Sequence, residues 1–439
     1  MPTRASLGRL RAVAAVLVLV VFAALVPAAT ASAASSFDLE TRYTVGVHLD
    51  WDTRWVDVTT TIDVRNTSGR AIDRLDLNTV AAKLGGMKNL RARVNGATRK
   101  VTKMGQTLIV PLGFDLANGA SATVFVGYRA RLQTRSGGRS YLFAKLNGVA
   151  QMYRFIPWVS RRIPFGTSNH GEQFVTPVSP RVEVTVSADR KLKWATSGRQ
   201  IKKLSERKFR YVAKDVRDFN LAASPNYKVA MGKTYNGKTR IIAHTVRHNG
   251  KRLVQLAKQE IARYASLTGV PYPHPTYRIA ETGGGLAMES PALIWIPRSR
   301  PASDHPYLVS HETAHQWWYS TVGNDQSTDA FADEALADYF SRKKHLSIRS
   351  SRCQTDRLDR ATQAYSDGCY FEVIYVQGAR FLDKLRKDYG SDKFKAAIRS
   401  YTRGNRDDIS NNARLLEAFR AEMGNGVLPR YRNRFPSIY

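Results

Sequence analysis

Two histidines four residues apart, His311 and His315, flank Glu312, and Glu334 follows His315 after 18 intervening residues. In a helix, residues four apart project from one side, one turn apart. A fold that uses these groups must pack a helix carrying both imidazoles against a second segment carrying Glu334. Two neutral imidazoles and a carboxylate form the donor set of a zinc site with a fourth position open. One Zn2+ ion is therefore expected at His311, His315 and Glu334. Glu312 is rotated off the ligand face but borders it, where a base takes a proton from water. Asp304 and Pro306 suit the start of such a helix. Residues 329–340 form an Ala-rich, helix-forming stretch around Glu334. Asp338 shares a face with Glu334 and is expected to accept the second N–H of a ligand histidine, fixing its tautomer. Trp317 and Trp318 come directly after the motif, and a merely solvated pair of helices would not need them.

Around this motif the pattern of the chain changes once. From residue 38 to about 225, alternation dominates: Tyr43, Val45, Val47 and Leu49, then Val56, Val58, Ile62 and Val64, then Val182, Val184 and Val186. Period-two alternation broken by polar turns, such as residues 50–53, predicts an antiparallel, sandwich-like β domain over residues 34–225. From 226 to 439 helical spacing takes over. Leu253, Leu256, Ile261, Tyr264 and Leu267 predict a helix that Gly269, Pro271 and Pro273 end. The apolar segment 286–296, after three consecutive glycines, reads as a strand. The fold class expected is α+β.

Residues 1–33 read as a secretory signal. Arg4, Arg9 and Arg11 precede an apolar run over 12–26, and Ala31-Ser32-Ala33 is a small-x-small cleavage site. Secretion with cleavage near Ala33 is expected, an uncleaved membrane anchor being the alternative. In an exported chain, Cys353 and Cys369 fit one disulfide, with two buried thiols as the alternative. The net charge of +32 comes from 68 Lys and Arg against 36 Asp and Glu spread along the chain. It allows weak association with anionic envelope polymers. There is no basic block interleaved with aromatics, so nucleic acid is not expected as a partner. The sequence is silent on oligomeric state.

The same residues resemble the M1 family of gluzincin aminopeptidases, whose signature is HExxH followed, after 18 intervening residues, by Glu. Leu286-Ala287-Met288-Glu289-Ser290 resembles the family's G-A/G-M-E-N exopeptidase motif. Residues 311–317 resemble its H-E-x-x-H-Q-W helix, and Asp333-Glu334-Ala335-Leu336-Ala337 its N-E-G-F-A. Tyr375 and Gly378 match its Y-x-K-G. The resemblance implies a thermolysin-like, mostly helical zinc-peptidase domain behind the β domain. It implies that Glu312 is general base and that Tyr375 binds the oxyanion, Tyr370 being the weaker candidate. It implies that Glu289 binds the α-amine of a peptide or protein substrate, whose backbone pairs near Ala287. Leu286, Ser290 and Asp333 depart from the pattern, and no counterpart of the family's large helical C-terminal domain is expected within these residues. A more open cleft is the expectation, with two alternatives: a gluzincin endopeptidase, or a basic envelope-binding protein without catalysis.

Overall fold

The alternation at Tyr43, Val45, Val47 and Leu49 belongs to the strand Leu39–Leu49, whose odd-numbered side chains are all buried. It turns at residues 50–53 into Trp55–Asn66, and the two pair antiparallel over their full length. This is a computed structural model, which describes residues 39–160, 176–341, 346, 353 and 355–439. The signal segment and its cleavage site lie outside the described residues. No helix among the described residues is long and apolar enough to cross a membrane.

The two strands are central in an eight-stranded sheet that also holds Ser121–Arg131, Arg181–Ala188 and Lys208–Ala213. The sheet is not wholly antiparallel as expected. Leu39–Leu49 pairs in parallel with Arg181–Ala188, because the chain returns to that edge in the same direction after more than a hundred residues. The apolar face packs against further short strands. The Tyr43 ring stacks on Trp158 at 4.2 Å, and its hydroxyl accepts from the backbone N–H of Val159 at 3.0 Å. Alternating valines supply a flat apolar surface, and each fully buried one contributes about 1.5–3 kcal/mol.

The helical half opens with a four-stranded sheet in the order Lys228–Lys233, Arg240–Thr245, Thr276–Thr282, Leu293–Pro297. The helix Gly250–Thr268 packs on it through Leu253, Ala257, Ile261 and Tyr264. Asn249 caps its first turn by accepting from the Arg252 N–H, and Gly269 ends it in the left-handed region at φ +66°. The expected strand over 286–296 is shorter. Only Leu293–Pro297 is a strand, and 286–292 is a loop pinned by a bridge between Met288 and Trp295. An apolar run cannot distinguish a buried strand from a buried loop. Ala280, Met288, Leu293 and Trp295 belong to the same buried cluster as the β-rich half, so the floor of the helical half shares its core. Sheets followed by helices make the architecture α+β.

Candidate active site

The helix His305–Ala314 has Asp304 at its N-cap and Pro306 in its first turn. It is buried along its second half, from Val309 through Ala314. His315 lies one residue beyond, at the C-cap, still with helical dihedrals. The two imidazoles therefore keep their one-turn offset. Trp317 and Trp318 anchor the chain as it leaves the helix, their indole N–H groups donating to the Val270 carbonyl and the Thr402 hydroxyl.

Glu334 does not sit on a regular α-helix. Phe331–Ala335 forms a π-turn that runs into the α-helix Leu336–Phe340. The wider turn adds a residue to the circuit and re-aims the side chain, a device common at functional sites. Glu334 Oε2 lies 3.2 Å from His311 Nε2 and 3.5 Å from His315 Nε2. The two Nε2 atoms are 3.3 Å apart. Three donors thus form a nearly equilateral triangle. Tetrahedral coordination at zinc–donor lengths of about 2.0–2.1 Å requires edges of about 3.3 Å, so the residues fit the metal.

The surroundings favour a cation further. Glu312, Glu289 and Asp333 are buried beside these ligands, and Glu289, Glu312 and His315 have donor atoms within 4.8 Å of one another. Burial, then the charge of Glu289, pushes the Glu312 carboxyl well above its ordinary range. Burial opposes charge on His315, but Asp333, Glu289 and Glu334 outweigh it and hold the imidazole well above its usual value. Burial also raises Asp333, to about 6, against the pull of His315. Burial acts upward on Glu334 as well, yet the hydrogen bonds of both histidines hold it well below the carboxylate range.

The residue that orients a histidine is not the expected one. His315 Nδ1 lies 2.7 Å from Asp333 Oδ1 and 3.1 Å from the Trp318 carbonyl. Both are acceptors, so Nδ1 carries a proton, and in the neutral ring that a metal requires it is Nε2 that presents its lone pair. Asp338 instead accepts from the Tyr307 hydroxyl at 2.8 Å. His311 Nδ1 has no hydrogen-bond partner among the described residues. The position one before Glu334, visible in the sequence only as a departure from a motif, carries the contact expected four positions after it.

Tyr375 lies on a second π-turn, Phe371–Gln377. Its ring stacks on His311 at 5.7 Å and 17°, and its hydroxyl feels the charge of Glu334. Burial, then the charge of Glu334, holds that phenol well above its usual value. Gly378 permits the approach. A Cβ there would stand 2.7 Å from the Ala335 Cβ. Tyr370 packs edge-on against Tyr375 at 5.9 Å. Cys353 and Cys369 are joined in a disulfide just before this turn.

Glu289 is 4% exposed and accepts from Gln326 Nε2 at 3.1 Å. Its loop is clamped from two sides. Gln316 donates to the Ser290 carbonyl and accepts from the Ala292 N–H, both at 2.9 Å, and Asn220 of the β-rich half donates to the Ser290 hydroxyl. Ala287 is half-buried, and Leu286 is 46% exposed. The demand for glycine falls one residue earlier. Gly285 has φ +98°, and a Cβ there would meet the Tyr141 ring at 2.3 Å. Sequence reasoning missed Gln316 and Gln326, neutral amides whose partners are distant in the chain. A cavity lined by Arg199, Lys214, His274, Ser320 and Arg406 contains none of these groups, so converging titratable side chains mark the site.

No family model matches the chain. A crystal structure of M1 zinc metallopeptidase from Deinococcus radiodurans superposes with a TM-score of 0.69 at 18% identity, over 91% of this chain and 95% of that one. The chain has the M1 zinc metallopeptidase fold. A mutant of the M1 enzyme from that organism, bound to a Tyr-Ser-Ala substrate, matches with a TM-score of 0.67 at 17% identity, over 91% of this chain and 94% of that one. A two-domain M1 zinc metallopeptidase mutant bound to L-tryptophan matches with 0.69 at 17%, over 91% and 94%. A Caenorhabditis elegans protein named as an aminopeptidase is 30% identical over 112 residues, which cover 21% of this chain and 6% of that protein.

Proposed function

We propose that this chain is a zinc peptidase of the M1 type that removes single residues from the N-termini of peptides. The observation that carries the reading is the spacing of Glu289 and Glu312, whose carboxylate oxygens lie within 4.8 Å of each other beside His315. In an amino acid the α-nitrogen is about 2.5 Å from the carbonyl carbon across two bonds. A carboxylate so near the base can hold the ammonium of the residue whose own carbonyl is attacked. A site for longer N-terminal fragments, or for internal bonds, has no use for a buried carboxylate there, since its charge would stay desolvated with only the neutral Gln326 amide as partner.

His311, His315 and Glu334 hold the metal, which when bound supplies positive charge and Lewis acidity at the scissile carbonyl. Glu312 takes the proton from the attacking water and returns it to the leaving amine. The Tyr375 hydroxyl, on a ring stacked against the ligand His311, is placed to donate to the carbonyl oxygen as negative charge develops. Asp333 holds His315 in the tautomer that presents Nε2. The pattern of residues 1–33 and the Cys353–Cys369 disulfide support export to an oxidising compartment.

The test is hydrolysis of an unblocked peptide and its N-acetylated twin by the purified chain, with metal analysis. We expect one zinc per chain and cleavage of the unblocked peptide one residue at a time. Chelation should abolish activity. Glu312→Gln should abolish it without loss of zinc. Equal cleavage of both peptides removes the N-terminal specificity, and an active Glu312→Gln variant removes the mechanism.

A further inference from the structure

Gln326 belongs to no motif and lies in the turn between the short strand Gly323–Asn324 and the π-turn that carries Glu334. It is nonetheless 5% exposed. Its Nε2 donates to Glu289 Oε1 at 3.1 Å and to Asp333 Oδ2 at 2.7 Å. The other oxygen of Asp333 receives His315 Nδ1 at 2.7 Å. One buried chain of hydrogen bonds thus runs from Glu289 through Gln326 and Asp333 to His315. The turn that presents the amide is itself held. Asn324 Nδ2 donates to the Asp329 carbonyl at 2.6 Å, and the Thr362 N–H donates to the Ser327 carbonyl at 2.9 Å.

An amide NH2 has two hydrogens, and here each meets a different carboxylate. Gln326 is neutral, so it joins two anions without cancelling the charge that either needs elsewhere. A lysine would neutralise Glu289 and compete with an incoming ammonium. An apolar residue would leave two like charges facing each other in a dry pocket, and Glu289 would turn away.

We propose that Gln326 is a positioning residue that fixes Glu289 for the substrate's α-ammonium and ties it to the carboxylate that orients His315. The inference rests on the aminopeptidase reading above. It assigns the preference for unblocked N-termini to a pair, Glu289 with Gln326, rather than to Glu289 alone.

The experiment uses the full chain and the variants Gln326→Met, nearly isosteric but without the donor, Glu289→Gln, and the double variant. KM and kcat are measured on an aminoacyl p-nitroanilide. Zinc affinity of each apoprotein is measured by chelator competition. For Gln326→Met, KM should rise about tenfold or more while kcat changes much less. In the Glu289→Gln background the same substitution should change KM less than about twofold, since the coupling is already gone. Zinc should bind about tenfold more weakly, as expected when the support of a ligand's partner is lost. An unchanged KM overturns the proposal, as does an equal rise in KM in both backgrounds. If the wild-type chain binds zinc but hydrolyses nothing, the aminopeptidase reading fails. The zinc arm then decides alone, and unchanged affinity overturns the link through Asp333. Should Gln326→Met not fold by far-UV circular dichroism, Gln326→Asn keeps the amide but is one methylene too short to reach both carboxylates. The same losses are expected of it.

Discussion

Replacing Gly378 by alanine sets two effects of opposite sign against each other. Within an ordinary helix, Gly→Ala gains about 1 kcal/mol in propensity. Here the new methyl would stand 2.7 Å from the Ala335 Cβ and 3.4 Å from the Phe331 ring. Carbon atoms prefer about 3.5–4.0 Å, so the two segments must part by about 1 Å. Overpacking of this kind costs about 1–3 kcal/mol, so the net stability change is expected to be near zero or unfavourable. The larger consequence is functional. Ala335 adjoins Glu334, and Gly378 lies three residues after Tyr375, so the separation falls on the contact between Tyr375 and Glu334. A displacement of about 1 Å at a reacting group can reduce rate about a hundredfold, equal to about 2.7 kcal/mol of barrier. The measurements are kcat on an aminoacyl p-nitroanilide, zinc content and the unfolding midpoint. We expect kcat to fall toward a hundredfold with zinc retained and the midpoint level or lower. A fully active Gly378→Ala protein with a raised midpoint would refute the close-approach argument.

Two further outcomes concern stability. Replacing Cys353 and Cys369 by serine removes a bridge across 16 positions of sequence and should lower unfolding stability in urea by about 3 kcal/mol; an unchanged midpoint would show that the bridge constrains nothing. His244 is buried, and burial followed by the charges of Arg278 and Lys193 pushes its pKa down to about 3. On acidification the unfolded chain takes up this proton near its ordinary value of about 6.5 while the folded chain does not, so stability falls as pH drops. The loss from this one group between about pH 7 and about pH 5 is about 2 kcal/mol. His244→Phe should flatten the pH dependence of the urea midpoint by that amount, and parallel curves for variant and wild type would contradict it.

The legible features of the sequence are local and chemical. The offset of His311 and His315 follows from helical arithmetic, and alternation at Tyr43 through Leu49 from strand arithmetic. The illegible ones depend on contacts far apart in the chain. Nothing in Leu39–Leu49 announces a parallel partner at Arg181–Ala188. Glu289 and Gln326 are 37 positions apart, and a neutral amide in a turn carries no signature. Helical spacing points to Asp338, but Glu334 lies on a π-turn where that spacing fails. The histidine partner therefore comes from Asp333 instead. Leu286 stands where the motif has a glycine, whereas the backbone demand sits at Gly285 against Tyr141, a contact between the two halves of the chain.

Glu334 and Tyr375 both occupy turns one residue longer than an α-turn. Deleting a single residue from either would leave a continuous helix, better bonded by itself, yet each side chain beyond the deletion would swing by about 100°. Selection for helix regularity alone would thus erase the site. A redesign that scores only stability would tend to make that deletion, and the insertion must be protected as deliberately as the residues it carries.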